Sequence, residues 1–495
     1  MPLGQDRAPL FEALQAHLRD ERVRLHVPGH KGGRGAVRFL ATAFGPELAR
    51  LDLTELPGLD DLHSPEGPIA EAEALAAEAF GAAKTFFLVN GSTAGVLAMM
   101  LATASPGEPV YVPRALHRSL LSGLILTGAV PVYLTPRVDE QSGLPLPPFP
   151  GDIAEAGRRS PGGRAVFLVD PTYHGLCADL ARLGDEAAAV GAQLCVDEAH
   201  GAHFGFGPAL PARSLSFERV AAAAQSLHKM GAALTQSSLL HLAPGGLDPE
   251  RVRAALAAVQ TSSPSYVLMA SLDLARRFMA GEGPAVFERT ARLMGECGRS
   301  LSGLPGLRVF RRPCGPRGQD PLKLTLIVDA PGDARELSRE LAAGRGIHSE
   351  LADQRTILFV AGPGTTASDL ERLTAGVREY ARRAAPGEHG AATRTGDVSP
   401  AADHAGLEHA GLGHLPEQAV TPREAFFAPV EPVALEEGFR RVAAEAVVPS
   451  PPGIPVVMPG ERLDRETIDV LRRLRQAGTH CQGGGPGLSW IRVLA

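Results

Sequence analysis

One lysine stands in a long run of small and apolar residues. The stretch AAAAQSLHKMGAALTQSS, residues 221–238, contains Lys229, preceded by Ser226 and His228. A lone charge among so many alanines costs stability unless the fold uses it. A lysine amine can act as a nucleophile and form a Schiff base with an aldehyde. The question is therefore which other reactive groups the sequence places with Lys229.

Further polar groups follow the predicted strands. VDEAH places Asp197 at the end of a very apolar strand, with His200 just beyond it. NGSTAG places Ser92 and Thr93 in a strand-to-helix turn, and RALHRS places His117 at the next such junction. Parallel α/β sheets bind ligands at the edge where their strands end, and helix N-termini bind anions. These residues are therefore expected at one ligand-binding edge.

These residue types match what pyridoxal phosphate requires. A lysine must form the Schiff base, and a carboxylate must keep the pyridine nitrogen protonated so that the ring accepts electrons. A flat imidazole can stack on the ring, while hydroxyls and backbone N–H groups hold the phosphate. Each residue alone is more often structural, but their joint order predicts the cofactor. The candidates for these roles are, in order, Lys229, Asp197, His117 and the set Ser92, Thr93 and Ser226.

The elements that must position these residues alternate from about residue 70. Short β-branched or aromatic runs alternate with Ala/Leu-rich runs, which predicts an α/β fold with a mostly parallel sheet. Because the strands are almost continuously apolar, the sheet should be buried on both faces. The predicted strands are TFFLVNG, PVYVPR, VPVYLT, RAVFLVDPTY, AQLCVDEAH and the run before QSLHK, and STAGVLAMMLATA is a predicted helix.

The pattern changes after about residue 283. Helices over 284–303 and 366–385, with strands LRVFRR, LKLTLIVDA and TILFVAG between them, predict a smaller α+β domain. The predicted organisation is an N-terminal arm over 1–70, a large cofactor-binding domain over 71–282, the smaller domain over 283–384, a linker over 385–415 and a small C-terminal α+β domain over 416–495.

The predicted linker is rich in Gly, Pro, Ala and His and has no apolar periodicity. His404, His409 and His414 recur in it every five residues. This spacing matches no zinc site, so a solvated linker is the better interpretation and no metal is predicted.

Composition restricts the partners. The net charge of −6 argues against nucleic acid and anionic membranes, while leaving room for a cationic small molecule. The charged N-terminus does not resemble a signal peptide, and GVLAMMLATA is too short to span a bilayer. The five cysteines have no CxxC spacing, which favours a reducing compartment. We therefore expect a cytoplasmic protein.

Several blocks resemble the Orn/Lys/Arg decarboxylase family, whose bacterial members are pyridoxal-phosphate-dependent enzymes of fold type I. The blocks that carry the resemblance are HVPGHKGGRG (26–35), DLTELPGLDDLHSPEGPIAEAE (52–73), NGSTAG (90–95), DEAHGAHFGFG (197–207), QSLHK (225–229) and PPGIPVVMPGE (451–461). The resemblance implies a fold-type I, transferase-like large domain, a homodimer at minimum, and decarboxylation of a basic amino acid to a polyamine-type amine and carbon dioxide.

The resemblance also implies roles for individual residues. Lys229 would form the Schiff base, Asp197 would pair with the pyridinium nitrogen and His117 would stack on the ring. His200 would lie near the phenolic oxygen of the cofactor. The phosphate would be held by Ser92, Thr93, Ser226 and His228. The proton donor is left open among Lys229, His228 and His200.

The substrate is less sharply defined. A distal guanidinium or ammonium needs a carboxylate, and the candidates are Glu461, Asp60, Asp61 and Glu66. Arginine is slightly preferred over lysine and ornithine, because the chain resembles the short form of the family. The alternative is another fold-type I enzyme such as an aminotransferase, which would use an arginine, for example Arg355, to bind the α-carboxylate.

Overall fold

The computed structural model describes residues 4–19, 23–329, 332–384, 412–450 and 453–495. Most of the predicted linker, with His404 and His409, lies outside these residues. The chain divides into two compact units. The first comprises Met1–Thr103 and Gln193–Glu288, and the second comprises Ala104–Ala192 and Arg289–Ala495. Residues 412–450 and 453–495 of the second unit are called the C-terminal segment below.

The α-helices of the described residues are α1 Pro9–Arg19, α2 Phe39–Phe44, α3 Pro46–Leu51, α4 Pro68–Phe80, α5 Gly91–Thr103, α6 Arg118–Thr127, α7 Asp152–Arg159, α8 Leu180–Ala189, α9 Leu227–Met230, α10 Pro249–Val259, α11 Tyr266–Ala280, α12 Gly283–Leu301, α13 Ala334–Arg345, α14 Ala367–Ala384, α15 Pro422–Phe427 and α16 Arg465–Gln476.

The strands are β1 Lys84–Leu88, β2 Pro109–Pro113, β3 Val130–Leu134, β4 Ala165–Val169, β5 Gln193–Asp197, β6 Val220–Gln225, β7 Ser238–Leu242, β8 Leu307–Val309, β9 Lys323–Val328, β10 Leu351–Ala352, β11 Thr356–Val360, β12 Val430–Ala434, β13 Val448–Pro449, β14 Cys481–Gln482 and β15 Trp490–Leu494.

In the first unit the strands pair in the order β1-β7-β6-β5. β5 and β6 are parallel, whereas β7 is antiparallel to both β6 and β1. β1, β5 and β6 therefore run in one direction, and β7 alone opposes them. Helix α5 packs closely on this sheet at Gly95, where an added Cβ would lie 2.9 Å from Leu88 Cδ1 and 3.1 Å from Ala224 Cβ.

In the second unit β2 pairs in parallel with both β3 and β4. A separate antiparallel sheet has the order β10-β11-β9-β8. Leu324, Leu326 and Val328 alternate along β9 and pack into one hydrophobic cluster with Leu341 of α13 and Val377 of α14. This alternation is the period-2 pattern of a strand, and the residues on the opposite face of β9 are buried as well. The C-terminal segment has its own cluster and two short antiparallel pairs, β12-β15 and β13-β14.

The predicted α/β class with mostly parallel strands is confirmed, and so are the predicted strands β1 to β6 and helix α5. Strand β7 was not predicted, because its sequence SSLLHLAP follows the lysine without a separating helical run. RAVFLVDPTY is strand only as far as Val169. The predicted domain boundaries stay predictions. Within the described residues, no helix is long and apolar enough to cross a membrane.

Candidate active site

Two parallel strands bring their polar ends to one edge of the first unit. Asp197 is the last residue of β5, and Ser226 follows the last residue of β6. Asp197 lies opposite Ala224 in the register of the two strands. The Asp197 side chain is 3% exposed, and its Oδ1 accepts a hydrogen bond from the backbone N–H of Ala199 at 3.2 Å. A buried carboxylate thus stands at the carboxyl edge of the sheet, as expected.

Lys229 lies on α9, a single helical turn that begins directly after Ser226. Its Nζ is 3.1 Å from Nε2 of His200. His200 follows Asp197 by three residues and is largely buried. The structure therefore brings together a lysine amine and an imidazole that the sequence had placed on separate segments. At this distance the ring nitrogen can exchange a proton with the amine.

Hydroxyl groups lie at the N-terminus of α5. Because β1 runs in the same direction as β6, the start of α5 lies at the same edge of the sheet as Ser226. The Ser226 hydroxyl donates a hydrogen bond to the Ser92 hydroxyl at 2.9 Å, and Thr93 is exposed in the same turn. Gly91, which begins the helix, has a φ of 75°, a conformation that glycine adopts without strain. Hydroxyls and backbone N–H groups at a helix N-terminus can bind an anion.

His228 contacts the loop that precedes β7. Its Nδ1 lies 3.0 Å from the carbonyl oxygen of Ser237, and a carbonyl only accepts, so Nδ1 carries the proton. Burial lowers the pKa of His228 below 6.5, the hydrogen bond to Ser237 opposes this shift, and the charge of Lys229 adds to it. A histidine of this kind is neutral near pH 7.

His117 belongs to the second unit, where it is the N-cap of α6. Its Nδ1 accepts a hydrogen bond from the backbone N–H of Ser119 at 3.3 Å and lies 2.8 Å from the Ser119 hydroxyl. The ring is exposed. Its predicted stacking on the cofactor stays a prediction.

The four predicted substrate carboxylates have different surroundings. Glu461 is fully buried and paired with Arg114 at 3.2 Å in the second unit. This pairing favours a structural or positioning role over a direct substrate contact. Asp61 and Glu66 are both exposed on the loop before α4. Asp60 ties that loop together by accepting hydrogen bonds from the backbone N–H groups of both at 2.9 Å.

A buried polar network was missed by the sequence analysis. Glu198 accepts hydrogen bonds from the Ser214 hydroxyl and from the Gln225 amide, both at 2.7 Å. The Gln225 carbonyl oxygen lies 3.1 Å from Nε2 of His241, whose Nδ1 lies 2.7 Å from the Thr85 hydroxyl. The network crosses all four strands of the first unit. Glu198 follows Asp197 and Gln225 precedes Ser226, so the network fixes the residues next to two site residues.

The signals for this network were weak in the sequence. Glu198 was visible in DEAH, but a single acidic residue after a strand is usually exposed. His241 lies on β7, the strand that was not predicted. Only the pairing of β7 between β6 and β1 places its imidazole against Gln225 and Thr85.

The first unit fits pyridoxal phosphate by the chemistry of its side chains. An amine, a buried carboxylate, and hydroxyls at a helix N-terminus match an aldehyde, a cationic ring nitrogen and a phosphate. These groups are Lys229, Asp197, and the pair Ser92 and Ser226, all at one edge of one sheet. Among the described residues, no cluster of His, Cys, Asp or Glu could hold a metal ion.

Comparison with known proteins gives a consistent result. The model of the Orn/Lys/Arg decarboxylase major domain matches residues 8–296, and that of the C-terminal domain matches residues 406–488. The chain is 34% identical to an arginine decarboxylase of Bacillus subtilis (strain 168), with 99% of each chain covered.

Two solved structures share the fold. The constitutive lysine decarboxylase of Escherichia coli matches with a TM-score of 0.82 at 22% identity, covering 99% of this chain and 82% of that one. A serine palmitoyltransferase from S. paucimobilis, solved with a bound pyridoxal phosphate–myriocin aldimine, matches with a TM-score of 0.52 at 17% identity. That match covers 70% of this chain and 82% of the other. The fold is thus one that also occurs in a protein with bound pyridoxal phosphate.

Proposed function

Because the chain belongs to the Orn/Lys/Arg decarboxylase family, we propose that it removes the α-carboxylate of a basic amino acid as carbon dioxide and leaves the amine. Arginine is the proposed substrate, since a relative that matches over the full length is named an arginine decarboxylase. The observation that carries the proposal is the contact of Lys229 with His200, which follows the buried Asp197 by three residues.

The proposed cofactor is pyridoxal phosphate. When bound, it supplies an electron-accepting ring that takes up the electron pair left by the departing carboxylate. The residues that would hold it are Lys229, Asp197, His117, Ser92, Thr93, Ser226 and His228, with His200 near the phenolic oxygen.

Lys229 and His200 act together in this proposal. A lysine ammonium must lose a proton before its nitrogen can attack an aldehyde. Nε2 of His200, 3.1 Å from Nζ, is placed to accept that proton. The same contact allows a proton to return to Lys229, which makes Lys229 our preferred donor to the substrate Cα. His200 and His228 are the other candidates.

The remaining residues bind and orient. Asp197 holds a buried negative charge that a protonated ring nitrogen would neutralise, and this pairing favours the cationic form of the ring. Ser92 and Ser226, with the first N–H groups of α5, would hold a phosphate by hydrogen bonds directed at one point. Holding the ring at both ends would give a fixed plane, relative to which contacts to the substrate itself would orient the bond to the carboxylate.

We further propose that the protein works as a homodimer in the cytoplasm, and that its amine product enters polyamine synthesis. Support for a homodimer comes from the N-terminal residues, where Phe39, Phe44 and Leu48 are 62%, 67% and 40% exposed. Apolar side chains clustered along one short stretch are typical of an interaction surface.

The test is product analysis with pyridoxal phosphate and one amino acid at a time. We expect carbon dioxide and the amine from arginine, with a lower kcat/KM for lysine and ornithine. Lys229→Ala should abolish turnover. Release of a keto acid instead of carbon dioxide would favour the aminotransferase alternative. The absence of carbon dioxide with all three amino acids, from protein that binds the cofactor, would contradict the proposal.

A further inference from the structure

The connection between β2 and α6 carries His117, the residue that the proposed function assigns to the cofactor ring. β2 ends at Pro113 and α6 begins at Arg118, so residues 114–117 alone join them. Nδ1 of His117 is bound to the N–H and hydroxyl of Ser119 in the first turn of the helix. The position of the ring therefore follows the position of this connection and of α6.

The first residue of the connection, Arg114, is held by the C-terminal segment. Its guanidinium donates hydrogen bonds to the carbonyl oxygens of Pro455 and Val456 at 2.8 and 3.0 Å. It also donates to the Glu461 carboxylate at 3.2 Å, and the same Glu461 oxygen accepts from the backbone N–H of Met458 at 2.8 Å. Both charged side chains are buried, with exposures of 0% and 1%.

The C-terminal segment also contacts both ends of α6. Arg118 in the first turn donates a hydrogen bond to the Gln482 side chain at 2.6 Å. At the other end, Arg423 donates to the carbonyl oxygens of Ile125 and Leu126 at 3.2 and 2.6 Å. These carbonyls belong to the last turn, where the helix offers no partner of its own. The helix that carries His117 is thus fixed from outside at each end.

We propose that Glu461 is a positioning residue, which acts through Arg114 to hold the β2–α6 connection and with it His117, and does not itself bind the substrate. This inference rests on the proposed function, because it requires a pyridoxal phosphate ring for His117 to contact. It also assigns a task to the C-terminal segment, which is to hold the β2–α6 connection in place.

The energetics of the pair support positioning over stabilisation. Burial raises the pKa of Glu461, while the charge of Arg114 opposes that shift. Oε1 of Glu461 and Nε of Arg114 have no hydrogen-bond partner within the described residues. Replacing such a pair by apolar residues is often neutral or stabilising. The pair fixes the orientation of the Arg114 side chain, because a planar guanidinium bound by three acceptors is held in one position.

The test is a double-mutant cycle on cofactor affinity. The dissociation constant of pyridoxal phosphate is measured for the wild type, Glu461→Gln, His117→Ala and the double variant. We expect each single change to raise the constant by about tenfold, and the double variant to bind no more weakly than His117→Ala alone. The two changes would then remove the same contact, so their effects would not add.

Additive effects, or a Glu461→Gln variant that raises only KM for arginine, would overturn the positioning role. Glu417→Gln is the matched control, because it removes an exposed pair with Arg462 in the same segment and should leave cofactor affinity unchanged. If Glu461→Gln does not fold, the apolar pair Arg114→Met with Glu461→Leu enters the same cycle. A wild-type protein that binds no pyridoxal phosphate would instead overturn the proposed function.

Discussion

At the residue scale, hydrogen bonds determine which protons the buried side chains carry. The Gln225 amide N–H₂ must donate to Glu198, because a carboxylate only accepts. The Gln225 oxygen is then an acceptor, so Nε2 of His241 donates to it and Nδ1 accepts from the Thr85 hydroxyl. The neutral imidazole satisfies this arrangement, and a protonated one would leave Thr85 without an acceptor on the ring. The network therefore requires a neutral His241.

The first prediction concerns acid unfolding. Burial, followed by the charge of Arg213, lowers the pKa of His241 from 6.5 to about 3. Because the pKa of His241 is lower in the folded protein than in the unfolded chain, the stability that depends on neutral His241 is fully present above pH 6.5. It is lost as the pH falls towards 3. The stability advantage of wild type over His241→Gln should therefore shrink by about 1.4 kcal/mol for each pH unit below 6.5. Urea unfolding between pH 7 and 5 measures it.

The control for this prediction is His348→Gln, which changes an exposed histidine. Comparison with this variant separates the loss of a histidine in general from the loss of the buried one. A constant difference between wild type and His241→Gln over the same range would contradict the buried neutral histidine.

At the element scale, the site depends on how closely α5 approaches the sheet. Gly95 lies one turn from Ser92 and faces Leu88 on β1 and Ala224 on β6. A larger residue at position 95 would push the helix away from the strands. The hydroxyl of Ser92 would then move relative to Ser226, which is fixed at the end of β6. The NGSTAG motif thus places Ser92, a proposed phosphate ligand, one helical turn from Gly95, where close packing requires a small residue.

The second prediction compares two glycine-to-alanine changes inside helices. Gly95→Ala should lower the free energy of unfolding by about 1–2 kcal/mol through overpacking, and weaken binding of pyridoxal phosphate. Gly344→Ala in α13 meets no atom within 4 Å and should raise the free energy of unfolding by up to about 1 kcal/mol through helix propensity. Chemical unfolding measures the free energy of unfolding of both variants. Equal effects of the two changes would contradict the close approach at Gly95.

At the scale of the whole molecule, the sequence predicted the elements better than their long-range contacts. Strand ends such as Asp197 and the segment around Lys229 were predictable, because apolar runs and their polar termini are local signals. The contact between Glu461 and Arg114 joins residues far apart in the chain, and no local pattern indicates it. The sequence therefore offered Glu461 only as one of several substrate candidates, because a carboxylate from the C-terminal domain that reached the cleft would give that domain a role.

The third prediction concerns the apo and cofactor-loaded protein. A ligand at 100 times its dissociation constant stabilises the folded state by about 2.7 kcal/mol, so pyridoxal phosphate should raise Tm by about 3 °C for a chain of 495 residues. Lys229→Ala should show a smaller shift, because the phosphate contacts remain and the covalent bond is lost. Thermal unfolding with inorganic phosphate at the same concentration is the control. A shift of the same size with phosphate alone would contradict specific cofactor binding.

The most direct measurement is to locate the lysine that bonds to pyridoxal phosphate. The chain has four lysines, Lys31, Lys84, Lys229 and Lys323, so borohydride reduction of the cofactor-loaded protein followed by peptide mass spectrometry gives a clear answer. We predict the added mass on the peptide with Lys229, and no stoichiometric label in Lys229→Ala. A stoichiometric label on another lysine, or no label on the wild type, would contradict the assignment of this site.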